Sequence, residues 1–258
     1  MLGPDLELLL DAAEAAGEIA LKHFRSAPEH WDKGDGQGPV SEADLAVNRM
    51  LEAELQPARP DYGWLSEETA DTGDRLQRER VFIIDPIDGT RAFLDGHENF
   101  SHSLAIVEDG RPVAAVVHMP AKDMTFAAEL GAQSTLNKVA VTASPIRDLS
   151  QATALAARPM MQDKHWPGGV PPVRRSFRSS LAYRMSVVAN GRFDAMFTFR
   201  NTWEWDVAAG DLICLQAGAR VSDAAGALPQ YNSAHAQVPG IMAAGAGIFA
   251  DLLALAQP

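Results

Sequence analysis

Two carboxylates three positions apart, Asp85 and Asp88, stand in the run Asp85-Pro86-Ile87-Asp88-Gly89-Thr90. Pro86 fixes its own φ, and Gly89 permits a tight turn. Such a turn can aim both acids at one point. It also leaves backbone N–H groups near Gly89 and Thr90 free to receive a phosphate at a helix start. Carboxylates and carbonyls are hard oxygen ligands, which suit Mg2+ rather than zinc. A solvated turn with a helix cap is the competing reading; the apolar strand before the turn and the Gly-Thr after it weigh against that. Two further acidic sites stand elsewhere. Glu67-Glu68 lies in Leu65-Ser66-Glu67-Glu68-Thr69, and Asp206 in Trp203-Glu204-Trp205-Asp206-Val207-Ala208-Ala209-Gly210. Alone, the first reads as a surface charge pair and the second as a helix cap.

These residues need rigid elements to hold them. Val81-Phe82-Ile83-Ile84 is wholly apolar and predicts a buried strand ending at Asp85. Strands are expected at 103–108 and 113–119, joined by the hairpin signal Asp109-Gly110. Further strands are expected at 124–128, 152–156, 193–197 and 241–244. An N-terminal helix starts near Pro4, with Asp5 and Glu7 at its positive end. Its apolar stripe is Leu6, Leu9, Leu10, Ala13, Ile19 and Leu21. A second helix is N-capped at Ser41, with Asp44 at its third position, and ends near Leu55 before Pro57 and Pro60. Later helices are expected at 180–189, from Asp206 to 217, and at 248–256. The glycine-rich stretch Lys33-Gly34-Asp35-Gly36-Gln37-Gly38-Pro39 reads as a loop, and 158–172 as a hinge or lid. Runs of strands with helices between them predict a layered α/β chain rather than strict βαβ alternation.

The chain has 258 residues and a net charge of −12, which disfavours nucleic-acid polymers and anionic membranes. Its single cysteine, Cys214, rules out an internal disulfide and a cysteine-rich zinc site. It sits in an apolar helix and reads as core. Asp5, Glu7, Asp11, Glu14 and Glu18 precede the first lysine, the opposite of a secretory leader. A cytoplasmic location is expected. His97 and His102 are five apart in a polar stretch and read as structural or solvent-exposed.

Together the DPIDGT hexapeptide, the upstream EE pair and the downstream WDVAAG resemble the inositol monophosphatase superfamily of Mg2+-dependent, lithium-sensitive phosphatases. The likeness runs from about Ala16 to Ala244. It implies the α/β/α/β/α sandwich of the sugar phosphatases. Residues 1–135 would form a half carrying most metal ligands, and 136–258 a half carrying Asp206 and substrate contacts. It implies that Glu67, Asp85 and the Ile87 carbonyl hold one metal, and that Asp85, Asp88 and Asp206 hold a second, with two or three Mg2+ per site. Asp44 and Thr90 would pair and, with Glu67, activate the attacking water. Lys33, eleven positions before Asp44, matches the family's mobile-loop lysine. Gly89, Thr90 and Asp206 would contact substrate, and Glu68 would support Glu67. The family also implies a homodimer acting on a small phosphorylated metabolite.

The substrate is read from finer features. Inositol-selective members carry a glutamate seven residues before the WD aspartate, where this chain has Phe199. Ser179-Ser180-Leu181 and Tyr231-Asn232 resemble bacterial 3′(2′),5′-bisphosphate nucleotidases, whereas Arg91-Ala92-Phe93 looks more like histidinol-phosphate phosphatases. Between 158 and 184 stand Arg158, Lys164, Arg174, Arg175, Arg178 and Arg184 against one acid, Asp163. That segment could clamp a second phosphate, with Arg178 and Ser180 contacting substrate, or serve salt bridges or a dimer surface. A bisphosphate nucleotidase is therefore the first expectation, with an inositol-1-phosphate or histidinol-phosphate phosphatase as the alternative. A catalytically silent metal-binding regulator would lack a ligand or the water-activating pair, and none is missing.

Overall fold

The apolar run 81–84 is the middle of the fold in the computed structural model, which describes residues 2–34 and 38–257. In chain order the elements are α1 (Pro4–His23), β1 (His30–Asp32), β2 (Pro39–Ser41), α2 (Glu42–Ala58), β3 (Gly63–Ser66), β4 (Arg80–Asp88), α3 (Thr90–Leu94), β5 (Ser101–Glu108), β6 (Arg111–Met119), β7 (Met124–Glu129), β8 (Thr135–Leu136), β9 (Val139–Ala140), β10 (Thr153–Leu155), β11 (Arg174–Ser176), α4 (Leu181–Ala189), β12 (Ala195–Trp203), α5 (Glu204–Gln216), β13 (Ala219–Ser222), β14 (Gln237–Gly245) and α6 (Ala246–Ala256).

Strands β3 to β9 form a seven-stranded sheet in chain order. A five-stranded sheet has the order β11-β10-β12-β14-β13, and β1 pairs with β2 alone. Side chains alternate across a strand, so an all-apolar strand needs cover on both faces. Phe82 and Ile84 pack with Leu9, Ala13, Leu51 and Leu55 of α1 and α2. Val81 and Ile83 pack with Met185, Val188, Leu212 and Ile213 of α4 and α5. The far face of the smaller sheet is closed by Trp166 and by Ile248 and Leu252 of α6. The layers are therefore α1/α2, large sheet, α4/α5, small sheet, α6, the expected α/β/α/β/α sandwich. Among the described residues no helix is long and apolar enough to cross a membrane.

Several boundaries differ from expectation. Helix α2 continues through Pro57 to Ala58. Strand β12 runs on to Trp203 and β14 starts at Gln237, because their polar ends pair with each other. Helix α5 begins at Glu204, two residues before Asp206. Leu21 is exposed, since the buried stripe of α1 follows Leu6, Leu9, Ala13, Ala16 and Ala20. Strands β3 and β13 carry too few residues to show a period. The 158–172 segment is largely exposed but anchored by buried Met160 and Trp166, whose indole N–H donates to the Met160 carbonyl at 2.8 Å. Of the glycine-rich loop, positions 35–37 lie outside the described residues.

Candidate active site

In a regular strand, residues three apart face opposite sides. Asp85 and Asp88 escape this through a bulge. Strand β4 pairs Asp85 with Ser103 and Asp88 with Ser101, so three steps on β4 match two on β5. The extra residue reverses the parity and turns both acids toward one place. Asp206, the third residue of α5, joins them, and carboxylate oxygens of all three lie within 4.8 Å of one another. Glu67 reaches the same place by a different route. Strand β3 runs parallel to β4 with Ser66 opposite Ile84, and the Glu67 amide donates to the Ile84 carbonyl at 3.2 Å.

The supports are specific. Asp88 Oδ2 accepts from Ser180 Oγ and from the Ala182 amide, each at 2.7 Å. Ser180, at φ 62°, also caps α4 by accepting from the Tyr183 amide at 2.9 Å. Lys33 Nζ donates to Glu67 Oε1 at 2.8 Å and to Glu68 Oε1 at 2.5 Å. Asp44 Oδ2 accepts from the Ser41 amide at 2.9 Å and from its hydroxyl at 2.5 Å. Thr90 Oγ1 lies 3.0 Å from Asp44 Oδ1 and 3.1 Å from the Ile87 carbonyl, and its one proton serves one of them at a time. Gly89 precedes α3 at φ 99°, where a side chain would be strained and its Cβ would sit 3.1 Å from the Asn99 carbonyl.

The electrostatics call for a cation. Burial pushes the Asp85 and Asp206 carboxyls far above the usual range, and the charges of Glu67 and Asp88 push the same way. Burial lifts Asp88 to about 6 against its two hydrogen bonds and Arg184. Glu68 rises to about 7, through burial and the charge of Glu67, against its bond to Lys33. Asp85 Oδ1 is buried without a hydrogen-bond partner. An orphaned carboxylate oxygen among other buried carboxylates, in an all-oxygen donor set, fits a hard divalent ion.

Most of the expected site residues are thus brought together: Glu67, Asp85, Ile87, Asp88 and Asp206 around the acids, Asp44 and Thr90 beside them, and Lys33 on Glu67. Arg178 is not. Its guanidinium donates to the Phe177 carbonyl at 2.7 Å and lies over the Phe193 ring. Arg184, buried on α4, brings its charge to Asp88 and Asp206, and Arg200 on β12 also acts on Asp206. Phe199 falls at a second bulge, between Thr198 and Asn201, and packs against Trp166 and His165. His102, expected in a polar stretch, is fully buried on β5 because that strand starts at Ser101. A cavity of about 340 Å3 opens beside Glu67, lined also by Thr69, Asp71, Trp203, Trp205 and His235. The two indoles stack at 4.7 Å.

The sequence profile described as the inositol monophosphatase family matches residues 2–256. An inositol-1-monophosphatase of Rhizobium meliloti is 36% identical over 232 residues, 86% of each chain. The Nus factor SuhB of Xylella fastidiosa is 32% identical over 238 residues, 88% of this chain and 84% of that one. Among solved structures, the Thermotoga maritima IMPase superposes with a TM-score of 0.86 at 27% identity, covering 98% of this chain and 97% of that one. The extragenic suppressor protein suhB of Bartonella henselae gives 0.83 at 28% identity, covering 97% of each. Sequence, layered fold and the buried acids on the β4 bulge agree, and the chain belongs to the inositol monophosphatase family.

Proposed function

We propose that this phosphatase hydrolyses the phosphate monoester of a small polyol with Mg2+ held by Glu67, Asp85, the Ile87 carbonyl, Asp88 and Asp206. The observation that carries the reading is the bulge that gathers Asp85 and Asp88 with Asp206, with one buried oxygen left unpartnered. Bound Mg2+, two or three ions per site, would neutralise the phosphate and lower the pKa of a water. The chain supplies the rest. Asp44 Oδ2 is occupied by Ser41, so Oδ1 remains to accept the Thr90 proton. That fixes the lone pairs of Thr90 Oγ1, which orient the attacking water together with Glu67. Gly89 lets the backbone approach the phosphate, and Lys33 adds a positive charge at the rim.

The polyol reading is supported by the 36% identity to an inositol-1-monophosphatase. The cavity beside Glu67, lined also by Asp71 and by no lysine or arginine, would not attract a second phosphate. The features that favour a 3′(2′),5′-bisphosphate nucleotidase have structural partners. Ser180 holds Asp88; the Tyr231 hydroxyl donates to Asp211 at 2.9 Å; the Asn232 side chain accepts from Arg75 at 2.6 Å. Arg184 favours the nucleotidase as the second reading. Its Nε donates only to the Arg178 carbonyl, and a buried guanidinium suits an anion.

The test is phosphate release with Mg2+, with and without Li+, from inositol 1-phosphate, adenosine 3′,5′-bisphosphate and histidinol phosphate. The expected result is a kcat/KM at least about tenfold higher for the polyol ester, a span of 1.4 kcal/mol. A preference for the bisphosphate establishes the nucleotidase instead. Arg178→Ala should leave the ranking unchanged. The expected homodimer is checked by sedimentation equilibrium. With a net charge of −12, weak and salt-sensitive binding is the most expected of any RNA. The single buried cysteine agrees with a cytoplasmic setting.

A further inference from the structure

Three consecutive residues of β5 each hold a different support of the metal site: the start of α5 before Asp206, the β4 bulge, and Ser180, which in turn holds Asp88. The Ser103 hydroxyl donates to the Trp205 carbonyl at 2.8 Å, the residue immediately before Asp206. Ser101 Oγ lies 2.9 Å from Ser180 Oγ. Because the Ser180 proton goes to Asp88 Oδ2, Ser101 must be the donor to Ser180. The relay therefore has one direction, from Ser101 through Ser180 to Asp88. His102 points to the opposite face of the strand. Its Nδ1 bonds the Pro86 carbonyl, which lies inside the bulge between Asp85 and Asp88. A carbonyl only accepts, so Nδ1 carries the proton. Its ring stacks against His118 at 6.0 Å, and all three residues are essentially inaccessible to solvent.

We infer that Ser101, His102 and Ser103 act as positioning residues for the metal centre, gripping the β4 bulge from both faces of β5 and tying it to α4 and α5. None of the three touches substrate or the reacting atoms. Their part is to set the distances among Asp85, Asp88 and Asp206. A bulge lacks regular ladder bonds, so the Pro86 carbonyl needs a donor from outside the ladder. His102 supplies it. The start of α5 needs a fixed distance from β4, and Ser103, the ladder partner of Asp85, supplies that. Partners behind metal ligands commonly change metal affinity by 10–100-fold.

The inference rests on the metal reading above, and the test separates the two. Mn2+ binding is measured by electron paramagnetic resonance, beside Mg2+ activation, KM and Tm. In Ser103→Ala, Mn2+ binding and the half-activating Mg2+ concentration should weaken about tenfold, with KM within twofold. His102→Phe should do the same, whereas His102→Asn, whose side-chain amide can take the place of Nδ1, should restore most of the affinity. Ser134→Ala is the control. Ser134 is equally buried and donates to the Ile213 carbonyl of α5 at 2.8 Å, away from the acids. It should lower Tm as much as Ser103→Ala and leave Mn2+ affinity unchanged. Wild-type Mn2+ affinity in Ser103→Ala and in a folded His102→Phe overturns the inference. If His102→Phe does not fold, Ser103→Ala decides it. A wild-type chain that binds no Mn2+ overturns the metal reading, and the inference with it.

Discussion

Asp88 combines two properties that pull against each other. It is buried, which favours the neutral acid, and it accepts two short hydrogen bonds, which favour the carboxylate. Asp88→Asn keeps the shape and removes the charge. It should lower kcat by on the order of a thousandfold while circular dichroism stays that of the wild type. Near-normal turnover would sink its role as a ligand. Asp211 shows the same conflict outside the site. Burial lifts it to about 6, against a hydrogen bond from Tyr231. The unfolded chain ionises near 3.9, so between these values the native state binds more protons than the unfolded state. Stability should therefore fall as pH rises from about 4 to about 6. In Asp211→Asn the Asp211 share of that slope should vanish, while the raised carboxyls of the site keep theirs. Relative to wild type the variant should gain about 2 kcal/mol between pH 4 and pH 7, read from urea melts. Parallel pH curves for the two proteins would reject the assignment.

At the level of elements, helix starts and bulges do the positioning. The first turn of α2 holds Asp44 through Ser41, and the same carboxylate orients Thr90. Ser41→Ala should cost about 1 kcal/mol of stability. It should also cut kcat several-fold without raising KM, since Asp44 Oδ2 would then compete for the Thr90 proton. Unchanged kcat would separate the cap from the chemistry. Helices α4 and α5, which present Ser180 and Asp206, meet closely at Gly210. A Cβ there would stand 2.6 Å from Met185 Cβ. Gly210→Ala gains about 1 kcal/mol of helix propensity and incurs about 1–3 kcal/mol of overpacking. A net drop in Tm is expected, together with weaker Mg2+ activation. The motif around Asp85 was legible in the sequence because a proline, a glycine and an apolar strand are local signals. The bulge was not, since it exists only against the register of β5. The same blindness hid Ser101, His102 and Ser103, whose partners lie far off in sequence.

Across the whole molecule, the layers explain why one polar cluster sits inside so apolar a chain. The large sheet is covered on both faces, and its β4 ends in the acids where α4 and α5 also begin. That the chain is layered was legible from runs of strands between helices, whereas the order of the layers came from the family resemblance. The smaller sheet was less legible, because β11 and β13 are short and polar. Like charges held this close without a cation oppose folding, so metal and stability are linked. At Mg2+ one hundred times its dissociation constant, the gain is about 2.7 kcal/mol. For a chain of this size that is a rise in Tm of roughly 5–10 °C over the chelated protein. No difference between chelated and Mg2+-loaded samples would contradict the linkage.

Lys33 gives that linkage a sequence in time. Its ammonium bridges Glu67 and Glu68, so the acids already own a resident monovalent counter-ion. An Mg2+ held by Glu67 Oε1, as proposed, would exchange with that ammonium. The freed ammonium is what the phosphate meets on arrival. On that reading metal would bind before ester, and inorganic phosphate should be a poor ligand of the chelated protein.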